Sequence, residues 1–216
     1  MYKITLAVPC FGRPERTVRA LDCVMNQDMD GWEAYFVGDK CPNLQEFIDN
    51  GKAAQYIERA KEKGNKLAIF NLPYHYGGWG YQARNTVIKL AHSEYFMFMD
   101  NDDVIKKHHF SHYYEQIKKT EYDFMYFNTW IDPIENASGI RGRLRDAKLE
   151  HGLVGHQELI IKTDFLKKMP PQKKSYQQDW DMIDDMVKAG AKYSKGTGEP
   201  THIIMGVGEL RETEID

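Results

Sequence analysis

Four short apolar runs, each separated from the next by a stretch of helical spacing, occupy the first hundred residues, and this alternation limits the possible folds more than any other feature. Residues 4–8, 34–37, 67–70 and 95–99 read as strands. Between them, Val18, Leu21, Val24 and Met25 form one apolar stripe, and Phe47, Ile48, Ala54 and Ile57 form another within a helix expected over 44–61. Residues 83–91 read as a further helix. Short strands without polar alternation belong to a sheet covered on both faces. The expected class is α/β, with a mainly parallel sheet and helices on both faces. In such sheets ligands bind beyond the carboxyl ends of the strands. Asp39 follows the second strand and Asp100 the fourth, so both are expected at that edge.

The second half is less regular. Residues 122–130 suggest one strand, 131–152 a loop, and 159–161 another strand followed by a short helix from about 164. Ser175 with Gln178 three residues later matches a capping box for a helix carrying Met182, Ile183, Met186 and Val187. Gly77, Gly78 and Gly80 surround Trp79 in a loop that either covers a ligand or makes a tight connection, with Trp79 placed to stack on a sugar or base. His108 and His109 are expected at a solvated helix start.

Bulk properties remove several classes. With 29 Lys and Arg against 32 Asp and Glu, a net charge of -3 supplies no overall attraction for nucleic acid or anionic membrane. Cysteines 10, 23 and 41 are odd in number and hold no C-x-x-C pair, which suits free thiols in a reducing cytoplasm. The start of the chain is interrupted at Pro9, too early for a signal peptide, and no apolar run is long enough to span a bilayer. A cytoplasmic location is therefore expected. No G-x-x-x-x-G-K-[ST] occurs, and only Gly12 follows the first strand where a dinucleotide fold needs G-x-G-x-x-G.

Asp100-Asn101-Asp102-Asp103 carries the strongest chemical signal. Hard divalent cations take oxygen ligands and often retain phosphate oxygens. Asp100 and Asp102, one residue apart, can face the same side of an extended segment and hold Mn2+ or Mg2+ against a diphosphate. A solvated acidic turn is the ordinary alternative.

The chain resembles family 2 glycosyltransferases with the GT-A fold. The resemblance rests on Val8-Pro9-Cys10-Phe11-Gly12-Arg13-Pro14, Val37-Gly38-Asp39, Ala83-Arg84-Asn85, the Asp-x-Asp-Asp run at 100–103 and Gln178-Asp179-Trp180-Asp181, and spans about 3–205. It implies one GT-A domain over 1–216, with 1–104 binding the nucleotide-sugar and 105–216 building the acceptor side. It implies a UDP-sugar donor contacted by Pro9, Phe11, Arg13, Asp39, Arg84, Asp100 and Asn101. Asp100, Asp102 and His202 would be the metal ligands, with His156 a weaker candidate. Asp179 would be the catalytic base of an inverting transfer, with Asp181 a rival. Gln178 stands where the family usually has Glu. The acceptor would be a glycan or, as among phage-encoded transferases, a hydroxymethylated DNA base. Residues 140–174 hold nine Lys or Arg against four acids, a basic stretch suited to DNA or to ordinary solvation. A sugar-nucleotide nucleotidyltransferase and a catalytically inactive nucleotide-sugar binder remain the alternatives.

Overall fold

The structure, a computed structural model, describes residues 1–12, 14–131 and 143–205. Its first half runs β1 (Tyr2–Cys10), α1 (Pro14–Met25), β2 (Trp32–Gly38), α2 (Pro42–Asp49), α3 (Lys52–Glu62), β3 (Lys66–Asn71), α4 (Tyr81–Leu90) and β4 (Ser93–Phe98). Then follow β5 (Val104–Ile105), α5 (His109–Ile117), β6 (Phe124–Tyr126), β7 (Thr129–Ile131), β8 (Arg143–Arg145) and a 3-10 turn at His156–Glu158. The described chain closes with β9 (Leu159–Lys162), α6 (Thr163–Leu166), α7 (Gln178–Lys188), β10 (Tyr193–Lys195) and β11 (His202–Ile204).

The main sheet has seven strands in the order β10-β6-β9-β4-β1-β2-β3. Only β9 runs against its neighbours, so the sheet is mainly parallel as expected. Side chains alternate across it. Ile4, Leu6 and Val8 pack with Ala20, Leu21 and Val24 of α1 and with Phe110 and Tyr113 of α5. Ala7, Tyr35 and Val37 pack on the opposite side with Ala83 and Val87 of α4 and Met182, Ile183 and Met186 of α7. Each fully buried aliphatic or Phe side chain contributes about 1.5–3 kcal/mol. Covering both faces is what permits strands with no polar alternation. A second sheet, β5-β11-β7-β8, lies after the acidic run. No helix among the described residues is long and apolar enough to cross a membrane.

Several local expectations are corrected. The helix expected over 44–61 is two helices, because Gly51 adopts φ 78 between them. The strand expected over 122–130 is split into β6 and β7, which belong to different sheets, and β8 interrupts the expected loop over 131–152. Ser175 does not cap α7: its hydroxyl accepts the Gln177 N–H at 3.1 Å, and the helix begins at Gln178. His108 is exposed at the start of α5, whereas His109 is buried, with Nδ1 2.7 Å from Thr201 Oγ1. Burial pushes the His109 pKa well below its ordinary value, so the ring is neutral there.

The parallel register brings the carboxyl ends of β1, β2 and β4 to one edge, with Cys10 opposite Gly38. Asn71, at the end of β3, crosses directly over Gly38. A Cβ on Gly38 would lie 1.9 Å from Asn71 Oδ1. That oxygen accepts the Cys41 N–H at 2.9 Å, and Asn71 Nδ2 donates to Cys41 O at 3.1 Å. The bare glycine thus lets Asn71 hold the loop that carries Asp39. Gly38→Ala is expected to displace Asn71 and cost about 1–3 kcal/mol, read as a fall of several degrees in melting temperature. An unchanged melting temperature would show that Asn71 does not occupy this space.

Candidate active site

A cleft of about 720 Å³ opens at that edge, lined by Pro9, Cys10 and Phe11 after β1, by Asp39 after β2, and by Asp100 to Asp102 after β4. The loop before α4 and the start of α7 close its other sides. Of the expected site residues, Pro9, Phe11, Asp39, Arg84, Asp100, Asn101, Asp102 and Asp179 all line this one cleft. Arg13 lies outside the described residues.

The Asp39 end is built by backbone capture. Asp39 Oδ1 accepts the Tyr76 N–H and Oδ2 the Gly77 N–H, both at 2.7 Å. His75 Nδ1 stands 3.1 Å from Oδ2, and the His75 ring tilts against Phe11 at 5.1 Å between centroids. Phe11 is 58% exposed, an apolar ring left bare at the mouth. The carboxylate therefore holds the loop from 75 to 80 and keeps lone pairs for one further donor.

That loop is a run of left-handed backbone: Gly77 (φ 63), Gly78 (φ 66), Trp79 (φ 52) and Gly80 (φ 81). A Cβ at Gly80 would meet Pro9 Cβ at 2.5 Å, and one at Gly78 would meet Lys174 Cγ at 2.7 Å. Trp79 accepts the conformation at a cost of about 1–2 kcal/mol. Its carbonyl is fixed by two donors, Arg84 Nη1 at 2.6 Å and Gln178 Nε2 at 3.2 Å. Arg84 is buried, and its Nη2 donates to Asp100 Oδ1 at 2.7 Å. One guanidinium thus ties the glycine loop to the acidic turn.

The four residues of that turn have separate fates. Asp100 keeps its side chain 45% exposed to the cleft. Asn101 is buried and donates from Nδ2 to Thr17 Oγ1 at 2.9 Å, so its amide braces α1. Asp102 faces the cleft, with Arg16 Nη1 3.4 Å from Oδ2, while Arg19 Nη2 donates to its carbonyl at 2.6 Å. Asp103 turns inward, where His202 Nε2 lies 2.9 Å from Oδ2 and the Met205 N–H reaches Oδ1 at 3.1 Å. Burial raises the Asp103 pKa, opposed by His202. The expectation of His202 as a metal ligand is not met by this geometry. The ring is fully buried, its Nε2 is committed to Asp103, and it does not line the cleft. Among the described residues no three His, Cys, Asp or Glu side chains form a ready-made metal cluster.

Asp179, in the first turn of α7, faces the same cleft, and His156 lies behind it with Nδ1 2.6 Å from Asp179 Oδ1. Burial alone would raise the Asp179 pKa. The charge and hydrogen bond of His156, with the charge of Arg84, outweigh burial and hold it well below the usual carboxylate range. His156 is buried in the turn at 156–158, its ring 4.8 Å from Phe98. Glu158 shapes that turn: it bonds the Gly155 N–H, accepts Thr129 Oγ1 at 2.9 Å and meets Arg145 Nε at 3.2 Å. The pairing of His156 with Asp179 is the main feature that sequence reasoning missed. A His three residues after Gly152-Leu153 gives no signal that a distant helix start will meet it.

In the basic stretch at 140–174, whose residues 140–142 lie outside the described ones, part of the charge is engaged within the fold. Lys162 Nζ donates to Glu121 O at 3.3 Å, Lys167 Nζ to Ala91 O at 2.6 Å and Lys174 Nζ to Tyr76 O at 3.3 Å.

Comparison with known proteins agrees with this arrangement. Residues 5–180 match the model of the family described as glycosyl transferase family 2. The poly(ribitol-phosphate) beta-N-acetylglucosaminyltransferase TarP of Staphylococcus aureus is 28% identical over 170 residues, covering 76% of this chain and 46% of that protein. The chain thus spans less than half the length of this relative. Among solved structures, S. aureus TarS 1–349 in complex with UDP superposes with a TM-score of 0.71 at 19% identity, covering 94% of this chain and 60% of that one. The mannosyltransferase PcManGT of Pyrobaculum calidifontis, in complex with GDP-Man and Mn2+, superposes at 0.64 with 13% identity over 100% of this chain and 59% of that one. With a mainly parallel sheet that delivers Asp39, Asp100, Asp102 and Asp179 to one cleft, and a family match over residues 5–180, the chain belongs to glycosyl transferase family 2.

Proposed function

We propose that this chain transfers a sugar from a UDP-sugar to a hydroxyl of a glycan acceptor, by an inverting, metal-assisted reaction. The observation that carries this reading is the convergence of Asp100, Asp102 and Asp179 on one cleft that Asp39 and Phe11 also line. We read residues 1–104 as the donor half and the remainder as the acceptor half of one domain. UDP-bound TarS and GDP-Man-bound PcManGT support a nucleotide-sugar donor, and TarP, named for poly(ribitol-phosphate), supports a glycopolymer rather than a nucleobase as acceptor class. No relative named above points to a DNA acceptor, and Lys162, Lys167 and Lys174 each donate to a backbone carbonyl of the fold.

The donor set fits a hard cation. Two cleft-facing carboxylates, Asp100 and Asp102, would hold Mn2+ or Mg2+, leaving the other positions to diphosphate and water oxygens. When bound, such an ion offsets the negative charge that grows on the departing diphosphate. The remaining work belongs to the chain. Phe11 presents a ring face, and Asp39 an acceptor, to the nucleobase and ribose. Arg84, through its bond to Asp100, keeps positive charge beneath the diphosphate position. Asp179 receives the proton of the attacking hydroxyl, opposite the departing nucleotide. Its low pKa keeps it ionised at neutral pH, and His156 orients it.

Thermal melting with UDP, GDP and TDP, each with Mn2+, tests the donor reading. UDP is expected to raise the melting temperature most, because a ligand bound only by the folded state stabilises it by mass action. Equal silence for all three nucleotides would sink the proposal. Asp102→Ala and Asp179→Asn are each expected to lower turnover by about 10²–10⁴-fold, with UDP binding kept in Asp179→Asn. Unchanged turnover in both variants would remove the assigned roles. The pH profile tests His156. Asp179 has a depressed pKa, so kcat/KM holds as pH falls until that pKa is crossed. His156→Gln removes the favourable charge and should move the acid limb upward by about 1–3 pH units. An unmoved limb would mean that His156 does not set the ionisation of Asp179.

A further inference from the structure

The cleft carries two groups of aromatic rings, and the donor accounts for only one. Phe11 and His75 stand beside Asp39. Trp79, Tyr176 and Trp180 also line the cleft, and Trp79 O accepts Gln178 Nε2 at 3.2 Å, one residue before Asp179. Trp79 is 63% exposed and Tyr176 is 87% exposed, yet their rings meet edge to face at 5.7 Å. An exposed apolar pair at a cleft wall marks a surface that another molecule covers. The position of Trp79 is also enforced: its backbone is left-handed, and Arg84 and Gln178 both hold its carbonyl. A strained residue held by two donors while its ring stays bare is a feature whose use lies outside the folded chain.

We propose that Trp79 and Tyr176 form a platform for a pyranose ring of the acceptor, one aromatic ring taking a face of the sugar and the other, nearly perpendicular, flanking its edge, so that a hydroxyl is directed to Asp179. This deepens the transferase reading and rests on it. The face of an aromatic ring is electron-rich, so it attracts the weakly positive C–H groups on one side of a cyclic sugar. An acyclic polyol phosphate offers no such flat apolar face and needs free cations instead. Of the basic side chains nearby, Arg145 is paired with Glu158 at 3.2 Å and Lys174 is held against Tyr76 O at 3.3 Å. Two exposed rings at the wall favour a cyclic sugar unit over a bare phosphodiester chain.

Saturation-transfer NMR on the intact chain, with and without UDP and Mg2+, tests this. The probes are cellotetraose, chitotetraose, ribitol 5-phosphate and a single-stranded oligonucleotide. At least one tetrasaccharide is expected to bind, with saturation concentrated on ring C–H protons. Tyr176→Ala and Trp79→Ala should each weaken that binding at least tenfold, while in Tyr176→Ala the UDP dissociation constant stays within twofold. Tyr176 is so exposed that its variant should keep the wild-type melting temperature. The platform is overturned if neither saccharide binds the wild type, if saccharide binding ignores both substitutions, or if only ribitol 5-phosphate or the oligonucleotide binds in a Tyr176-dependent way. A wild type that binds saccharide on these rings but no nucleotide refutes the transferase reading and leaves the platform standing. Normal UDP binding with Tyr176-independent saccharide binding refutes the platform alone.

Discussion

The Arg84 guanidinium is the interaction on which the rest of the cleft depends. A buried cation is costly unless it is paired and hydrogen-bonded. Arg84 meets that demand at its two Nη atoms, with Trp79 O at 2.6 Å and Asp100 Oδ1 at 2.7 Å, while its buried Nε has no hydrogen-bond partner among the described residues. It thereby joins a left-handed loop, an acidic turn and the helix from which it projects. Gly80 lets the same loop press against Pro9, so the end of β1 is drawn into the assembly. The charge of Arg84 also reaches Asp179 and helps to keep it ionised. One side chain thus sets the spacing between the donor carboxylates and the proposed base. Its replacement by Lys would keep the charge and lose the fork that contacts two partners at once.

A second layer of polar contacts supports the opposite wall. Glu158 is fully buried and bonded to Thr129, Arg145 and the Gly155 N–H. These contacts fix the turn that presents His156 to Asp179. Asp39 does the same for the loop from 75 to 80 by accepting two of its backbone N–H groups. In each case a carboxylate orders backbone that shapes the cleft: the first turn carries His156, buried behind Asp179, and the second carries Trp79, exposed at the wall. Rigid elements with locked contacts behind them are what hold a reacting geometry within a fraction of an ångström.

Much of this was readable from the residues. The strands at 4–8, 34–37, 67–70 and 95–99 are visible because a sheet covered on both faces needs no polar side, and the structure extends each by only a few residues at most. Asp39 and Asp100 were placed correctly because parallel strands all end at one edge. The failures have a common cause. β7, β8 and β11 are three residues each, too short for a period to show. In Asp100-Asn101-Asp102-Asp103, nothing local tells which carboxylate turns inward. That choice is made by His202, ninety-nine positions away. The same distant partner explains why His202 looked available for metal. Ser175 had the right neighbour for a capping box, but its hydroxyl is satisfied by the Gln177 N–H one residue before the helix opens.

The Asp103–His202 contact carries a consequence for how the molecule is assembled. β11 is among the last described elements, and His202 pairs there with Ile105 of β5 while its ring meets Asp103. The acidic turn therefore cannot reach its final shape from the first half of the chain alone. Pairing β1 with β2 joins residues less than thirty positions apart, whereas the Asp103–His202 contact closes a loop of ninety-nine, which costs more chain entropy. Until that closure, Asp103 is a carboxylate without its partner and the segment beside it has no reason to settle. The acidic turn is thus completed from the far end of the described chain, and a chain lacking residues near 202 would leave Asp103 buried beside no imidazole.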